Sequence, residues 1–222
     1  MSVTEDHVAR RLVLACGAAV PEVPEPVERV PARPGKDEVD PLLSANPGAA
    51  VIVVGTDADL AAVVLRLLRK GKLAETPVGF VPAGPGSAVA RRWRLPTDPA
   101  RALAVAFEGA AVPVPLVRDD SGGVLVGMGR LEAVDGVAYG DDTVAFRGKV
   151  RSVEVWPDQV SGLAVRIRSG RFSRPRTLTA RAFQLGCAPT RPTCDGVSHP
   201  RAVERWTWYR HTEDLRLIRR TR

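Results

Sequence analysis

Two short loops in the first half of the chain carry residues suited to binding phosphate. Gly55, Thr56 and Asp57 follow the apolar run at residues 50–54, and a helical pattern of apolar residues comes after them. The second loop, residues 82–87, lies in the same way between an apolar run and a helical segment. A strand that enters a helix through a glycine-containing loop directs main-chain N–H groups and the positive helix end at one spot. The sequence therefore predicts a phosphate-binding site between the two loops.

The two loops resemble motifs in the catalytic domain of the diacylglycerol kinase and sphingosine kinase family, which shares its architecture with NAD kinases. The family's first motif reads Gly-Gly-Asp-Gly-Thr-Leu-Asn-Glu-Val-Val, and residues 55–64 read Gly-Thr-Asp-Ala-Asp-Leu-Ala-Ala-Val-Val in the same register. Its second motif reads roughly Pro-Leu-Gly-Thr-Gly-Asn-Asp-Phe-Ala-Arg, and residues 82–91 read Pro-Ala-Gly-Pro-Gly-Ser-Ala-Val-Ala-Arg. The resemblance is good over residues 49–114, weaker after them and poor before them.

The resemblance implies an ATP-dependent lipid kinase that transfers a phosphoryl group to a lipid hydroxyl, with ATP and Mg²⁺ as cofactors. It also implies which residues of this chain bind the nucleotide: Gly55, Thr56, Asp57, Asp59, Gly84, Gly86 and Ser87. Asp57 is further implied to act in catalysis beside the metal-bound phosphates.

A second catalytic carboxylate is implied by an Asp-Gly-Glu turn that the family has in its C-terminal half. Asp195-Gly196 and Asp135-Gly136 both compete for this role, although Asp-Gly is first of all a hairpin-turn signal. We favour Asp195 as the general base for the lipid hydroxyl. Glu132, after a Gly-x-Gly sequence, is a further candidate for an acidic site residue.

The departures from the family pattern fall on its polar positions. In the first motif, Thr56 and Ala58 replace glycines, and Asp59 places a carboxylate where the family has a neutral hydroxyl. In the second motif, Pro85 removes an N–H donor and Ser87 replaces an asparagine. We therefore predict a divergent member with degenerate nucleotide-binding motifs and impaired or lost activity. The alternative is a non-catalytic pseudokinase that binds a nucleotide, phosphometabolite or protein partner in the same cleft.

The charge distribution supports a third interpretation. The chain has a net charge of +7, but residues 1–60 carry −5 and residues 151–222 carry +9, and all 15 bases of the last segment are Arg. Arginine pairs bidentately with phosphate, so this segment could bind an acidic lipid or membrane surface, or nucleic acid, which we do not favour. Arginines that coat a solvated sheet face explain the same composition.

Alternating apolar residues predict antiparallel strands in the second half of the chain, as at Val153 and Val155 and at Leu163 and Val165. Further strands are predicted at residues 124–127, 143–146, 178–185, 203–209 and 215–218. We therefore expect a Rossmann-like α/β nucleotide-binding domain over residues 1–112. An antiparallel β-sandwich domain then follows over residues 113–222, with the cleft between the two.

Composition excludes several other classes of protein. No run of 18 apolar residues occurs, and the acidic residues Glu5 and Asp6 stand where a signal peptide would be positively charged, so we expect a cytoplasmic protein. Cys16, Cys187 and Cys194 lack paired metal-ligand spacing, so we expect free thiols and no metal site built from side chains alone. Serine-hydrolase and P-loop signatures are missing. The sequence leaves open whether the chain is an active enzyme, which acceptor it uses and its oligomeric state.

Overall fold

The computed structural model describes residues 10–17, 23, 25–171 and 173–220, so Glu5 and Asp6 lie outside the described residues. The helices are α1 (Lys36–Ala45), α2 (Asp57–Arg69), α3 (Ala88–Trp93) and α4 (Pro99–Glu108). The strands of the first half are β1 (Arg11–Cys16), β2 (Val27–Val30), β3 (Ala50–Gly55), β4 (Val78–Pro82) and β5 (Ala110–Val114). The later strands are β6 (Val117–Asp119), β7 (Val124–Leu125), β8 (Gly129–Gly140), β9 (Thr143–Asp158), β10 (Gly162–Arg168), β11 (Arg176–Ala180), β12 (Ala182–Thr190), β13 (Thr193–Cys194), β14 (Val197–Ser198), β15 (Val203–Arg210) and β16 (Leu215–Arg219).

The first sheet has the strand order β2-β1-β3-β4-β16-β5 and is parallel except at β5. Helices cover both of its faces, which explains the continuous apolar run of β3. Val51 and Val53 pack in the core that contains α1 and α2, whereas Ile52 and Val54 pack in the core that contains α4. Gly55 at the end of β3 pairs with Pro82 at the end of β4. The two predicted loops therefore leave the same edge of the sheet side by side.

The second sheet contains ten strands and is antiparallel throughout. It folds over on itself, so that Gly162 of β10 faces the side chain of Arg210 on β15, and it encloses its own core with Trp206 and Trp208 inside. The predicted fold class, an α/β part followed by an antiparallel β part, is confirmed. The two parts also share a core, because Val124 and Val126 pack in the same cluster as α2.

Two sequence-based assignments are wrong. The strand predicted at residues 215–218 exists, but as β16 it lies between β4 and β5 of the first sheet rather than in the second. Asp135-Gly136 is not a turn, because it lies within β8. A Cβ on Gly136 would clash with the carbonyl oxygen of Gly186, so glycine serves here to let β12 approach.

The chain passes from the first sheet to the second between β5 and β6, and it returns to the first sheet at β16. The division into domains at residues 112 and 113 stays a prediction. Within the described ranges, no helix combines the length and the apolar character needed to cross a bilayer.

We expect Leu217→Ala to destabilise the chain by about 2–5 kcal/mol, because Leu217 is fully buried where β16 docks between β4 and β5. Denaturant unfolding measures the effect. Val160→Ala, at a side chain that is 93% exposed, is the control and should leave the midpoint unchanged. Equal midpoints for the two variants would contradict the docking of β16 in the first sheet.

Candidate functional site

The two loops and the turn at Asp195 border one cleft of about 460 Å³. Of the predicted nucleotide-binding residues and the two favoured catalytic residues, only Asp59 does not line it. The lining residues are Gly55, Thr56, Asp57, Ala83, Gly84, Gly86, Ser87, Ala88, Met128, Asp195 and Gly196. The fold thus brings together the end of β3, the start of α2, the loop between β4 and α3, the start of α3, the segment before β8 and the β13–β14 turn.

Asp57 is the first residue of α2, but its carboxylate contacts the start of α3. It accepts hydrogen bonds from the Ser87 hydroxyl at 2.5 Å, the Ala88 N–H at 2.6 Å and the Val89 N–H at 3.3 Å. Ser87 also caps α3, because its Oγ accepts the N–H of Ala90 at 2.9 Å. The Asp57 carboxylate therefore occupies main-chain donors that the sequence analysis assigned to a phosphate.

Asp59 faces inward and caps α2. Its carboxylate accepts the N–H and the hydroxyl of Thr56, each at 2.7 Å, and the N–H of Arg33 at 2.6 Å. The residue is 1% exposed, and an ideal Cβ on Gly55 would lie 2.7 Å from its Oδ2 atom. Asp59 adds negative charge beside the cleft without exposing its oxygens to it.

Asp195 occupies the turn between β13 and β14, with φ of 49° followed by 85° at Gly196. Positive φ at both central residues is the geometry of a tight hairpin turn, so this Asp-Gly is structural as well as part of the cleft. Its carboxylate accepts the N–H groups of Val126, Gly127 and Met128 at 2.9, 2.7 and 2.9 Å. The buried side chain of the turn is thereby tied to the segment before β8.

Burial raises the pKa of Asp195 to about 7. The three main-chain N–H groups oppose this shift because they stabilise the charged form, and the negative charge of Asp57 adds to it. A carboxyl group with a pKa near neutrality can exchange a proton with a bound hydroxyl near neutral pH. The site therefore contains one group with the properties of a general base.

Gly127 is the site residue that sequence reasoning missed. An ideal Cβ at this position would lie 2.9 Å from Asp195 Oδ1 and 3.1 Å from Asp57 Oδ2. The two carboxylate oxygens are therefore within about 6 Å of each other, and a side chain here would fill the space where they converge. The Gly-x-Gly sequence at residues 127–129 is the sequence signal that points to this position.

The other candidate residues lie outside this arrangement. Glu132 is exposed on β8, where it pairs with Arg130, and Asp135 is exposed on the same strand. Cys16 lines the adjoining pocket beside Asp59, and burial, with a smaller effect from the charge of Asp59, raises the pKa of its thiol to about 12. A thiolate nucleophile at this end of the cleft is therefore excluded near neutral pH. All three cysteines are free thiols, as expected.

The residues fit a nucleotide better than they fit a metal ion alone. Ideal Cβ atoms on Gly84 and Gly86 would meet only open space, which leaves room for phosphate oxygens against the main chain. No cluster of three or more His, Cys, Asp and Glu side chains able to hold a metal occurs among the residues that the structure describes. A magnesium ion here would need oxygen ligands from a bound phosphate besides Asp57.

We expect Asp195→Asn to remove a pH dependence of stability. The pKa of Asp195 is about 7 in the folded chain, against 3.8 for an unperturbed carboxyl. The folded state therefore retains a proton that the unfolded state has released, and the free energy of unfolding of the parent chain falls as pH rises through this window. Relative to the parent, the variant should gain up to about 1.4 kcal/mol for each pH unit in the window.

Denaturant unfolding at about pH 5 and about pH 7 measures this difference. Glu132→Gln, which removes an exposed carboxylate on β8, is the control and should track the parent chain. A parent–variant difference that stays constant with pH would contradict the raised pKa.

Residues 33–118 match the family model of the diacylglycerol kinase catalytic domain. Among solved structures, the chain is similar to a diacylglycerol kinase from Bacillus anthracis str. Sterne, at 11% identity over 95% of this chain and 96% of that chain, with a TM-score of 0.68. No curated protein matches the chain.

The fold extends to enzymes that act on nicotinamide dinucleotides. An NAD kinase from Archaeoglobus fulgidus in complex with ATP aligns at 10% identity over 94% of this chain and 93% of that chain, with a TM-score of 0.58. Yeast NADH kinase complexed with NADH aligns at 10% identity over 97% and 85%, with a TM-score of 0.54. The resemblance inferred from the two loops is confirmed: residues 33–118 match the diacylglycerol kinase catalytic domain, and the fold is that of the diacylglycerol kinase and NAD kinase structures.

Proposed function

We propose that this chain is an ATP-dependent, diacylglycerol kinase-like phosphotransferase with strongly reduced activity toward a lipid hydroxyl. The convergence of Asp57 and Asp195 beside Gly84 and Gly86 is the observation that carries the proposal. A nucleotide-sized cleft and a carboxylate of near-neutral pKa at its border are parts that phosphoryl transfer to an alcohol needs.

The nucleotide would lie along the ends of β3 and β4. The cleft continues from Ser87 past Thr56 into the adjoining pocket beside Cys16, because the two cavities share Thr56, Ala83, Asp195 and Gly196. The Archaeoglobus relative binds ATP and the yeast relative binds NADH, which supports a nucleotide in this fold. Bound ATP would supply the phosphoryl group, and Mg²⁺ entering with it would neutralise phosphate charge.

In this proposal the protein contributes a base and a fixed geometry. An Asp195 oxygen would take the proton of the acceptor hydroxyl; as the hydroxyl oxygen bonds to the γ-phosphorus of ATP, the bond from that phosphorus to the bridging oxygen would break and ADP would leave. Asp57 holds Ser87 and the first N–H groups of α3 in position, and thereby sets the distance between the two loops. Burial of Asp195 and its three N–H donors keep the base in one orientation.

The reduced rate follows from how the carboxylates are engaged. Asp57 already accepts three hydrogen bonds from Ser87, Ala88 and Val89, so less of its charge is available to an incoming metal–nucleotide. Asp59 adds a buried negative charge next to Thr56, which opposes an anionic ligand. Pro85 supplies no N–H group.

The position of Asp57 also supports a second candidate function. Its carboxylate occupies the N-terminus of α3, where a phosphate would otherwise be held. A nucleotide or phosphometabolite in the cleft would then lack these N–H donors, and the chain would bind it without turning it over. Both candidate functions include nucleotide binding, but only the first includes phosphoryl transfer.

We expect the purified chain with Mg²⁺, radiolabelled ATP and mixed lipid micelles to form labelled lipid slowly. The rate should rise with pH and level off above about pH 7, because the base must be deprotonated. Asp195→Asn should lower the rate by about 100-fold or more. Asp57→Asn should lower it as well, whereas the exposed Glu132→Gln should not.

Nucleotide binding, measured by calorimetry on the same preparations, separates the outcomes. Binding without labelled lipid at high protein concentration would overturn the kinase proposal and leave the pseudokinase. Absence of both binding and turnover would overturn both.

A further inference from the structure

A second pocket, of about 470 Å³, adjoins the cleft beyond Ala88 and Met128, which line both cavities. Its walls come from α3 and the residue that ends it, and from the paired strands β9 and β10. The charged and aromatic lining consists of Arg91, Arg92, Arg94, Glu154, Trp156 and Arg166. We call these residues the arginine pocket.

The arginine pocket carries an excess of positive charge. Arg166 pairs with Glu154 at 3.4 Å, and Arg92 pairs with Asp158 at 2.9 Å. Within the described residues, Arg91 and Arg94 have no carboxylate partner, and both are exposed. The four guanidinium groups are thus opposed by two carboxylates, and two positive charges remain for a ligand.

The arrangement of two guanidinium groups is fixed by other contacts. Arg166 lies over the ring of Trp156, with its Cζ atom 5.2 Å from the ring centroid, and Glu154 holds it from the side. Arg92 lies over the ring of Trp93, with its Cζ atom 5.6 Å from the ring centroid, and pairs with Asp158.

We propose that the arginine pocket binds a phosphate group carried by the acceptor, so that the molecule presenting its hydroxyl to Asp57 and Asp195 is an anionic phosphate ester. This inference rests on the proposed function and names its acceptor class. The guanidinium fork matches phosphate oxygens bidentately, and the shared residues Ala88 and Met128 place the pocket next to the carboxylates. A neutral diacylglycerol would leave the two positive charges of Arg91 and Arg94 without partners.

Binding to the pocket is tested without turnover, on the full chain. The soluble probes are inorganic phosphate and glycerol 3-phosphate, followed by calorimetry, and the lipid probes are vesicles of phosphatidylcholine with or without an equal part of phosphatidylglycerol, followed by co-sedimentation. The test variant is Arg91→Gln combined with Arg166→Gln. The matched control is Arg147→Gln combined with Arg151→Gln, which removes the same charge from exposed positions on β9 outside the pocket.

We expect the pocket variant to weaken binding of phosphate-bearing probes by about tenfold or more, and the control variant by much less, since each bidentate pair contributes more than general charge. Binding of the soluble ester through the pocket supports a water-soluble phosphate ester, and binding of anionic vesicles alone supports a phospholipid. The single variant Arg91→Lys keeps the charge at an exposed position that folding does not require, and it should lose only part of the affinity.

Three results would overturn the inference: no binding of any phosphate-bearing probe, equal losses in the pocket and control variants, or an equal loss of ATP affinity in the pocket variant. The last result would assign the arginines to the nucleotide instead. Because none of these measurements needs phosphoryl transfer, failure of this inference and failure of the proposed kinase activity are distinguishable.

Discussion

The geometry of the site depends on one contact, the Asp57 carboxylate on the first N–H groups of α3. Because β3 and β4 are parallel neighbours, their loops leave the same sheet edge, but adjacency alone does not fix the distance between two helix ends. The bonds from Ser87 and Ala88 to Asp57 fix it. They also give α3 the negative charge at its N-terminus that a short helix with no acidic residue in its own first turn lacks.

Carboxylates accept main-chain N–H groups at three places around the cleft. The Asp57 carboxylate binds the N-terminus of α3, the Asp59 carboxylate binds the N-terminus of α2, and the Asp195 carboxylate binds the main chain before β8. Main-chain N–H groups that could hold a phosphate are thus satisfied by carboxylates of the chain itself. The raised pKa of Asp195 shows the cost of this solution, since three donors do not fully offset the burial of the charge. An anionic ligand must bind against these negative charges, which explains why we expect slow chemistry from an intact scaffold.

The elements that form the site were predictable because their signals are local. The apolar runs, the loops and the helix at residues 99–108 follow from patterns within a dozen residues, and the structure places α4 over Pro99–Glu108. The meeting of Asp57 with Asp195 came from the resemblance, since 138 residues separate them in the sequence. The orientation of Asp59 was not predictable. Its residue type gives the charge, but the inward orientation depends on hydrogen bonds from the N–H groups of Thr56 and Arg33 to its carboxylate.

Other predictions were wrong because the local sequence signal is compatible with more than one position in the tertiary structure. Alternation at residues 215–218 indicates a strand in either sheet, and only the packing of Leu217 against the first sheet decides between them. Asp-Gly has a hairpin signal at both of its occurrences, yet at Gly136 the glycine admits a neighbouring strand, and at Gly196 it makes the turn. The arginine pocket joins α3 residues to strand residues that lie 60 to 75 positions further along the chain, so no short window of sequence contains it.

The short helix α3 connects the two charged regions of the protein. Its first N–H groups are held by Asp57, and its arginines, one turn later, line the neighbouring pocket. Negative charge therefore lies at one end of the helix and positive charge at the other, and the cavities between them are continuous through Ala88 and Met128. A molecule with a hydroxyl at one end and a phosphate at the other would be oriented by this field before any direct contact forms. If the proposed function holds, the same helix that engages Asp57 would also set the direction in which an acceptor enters the site.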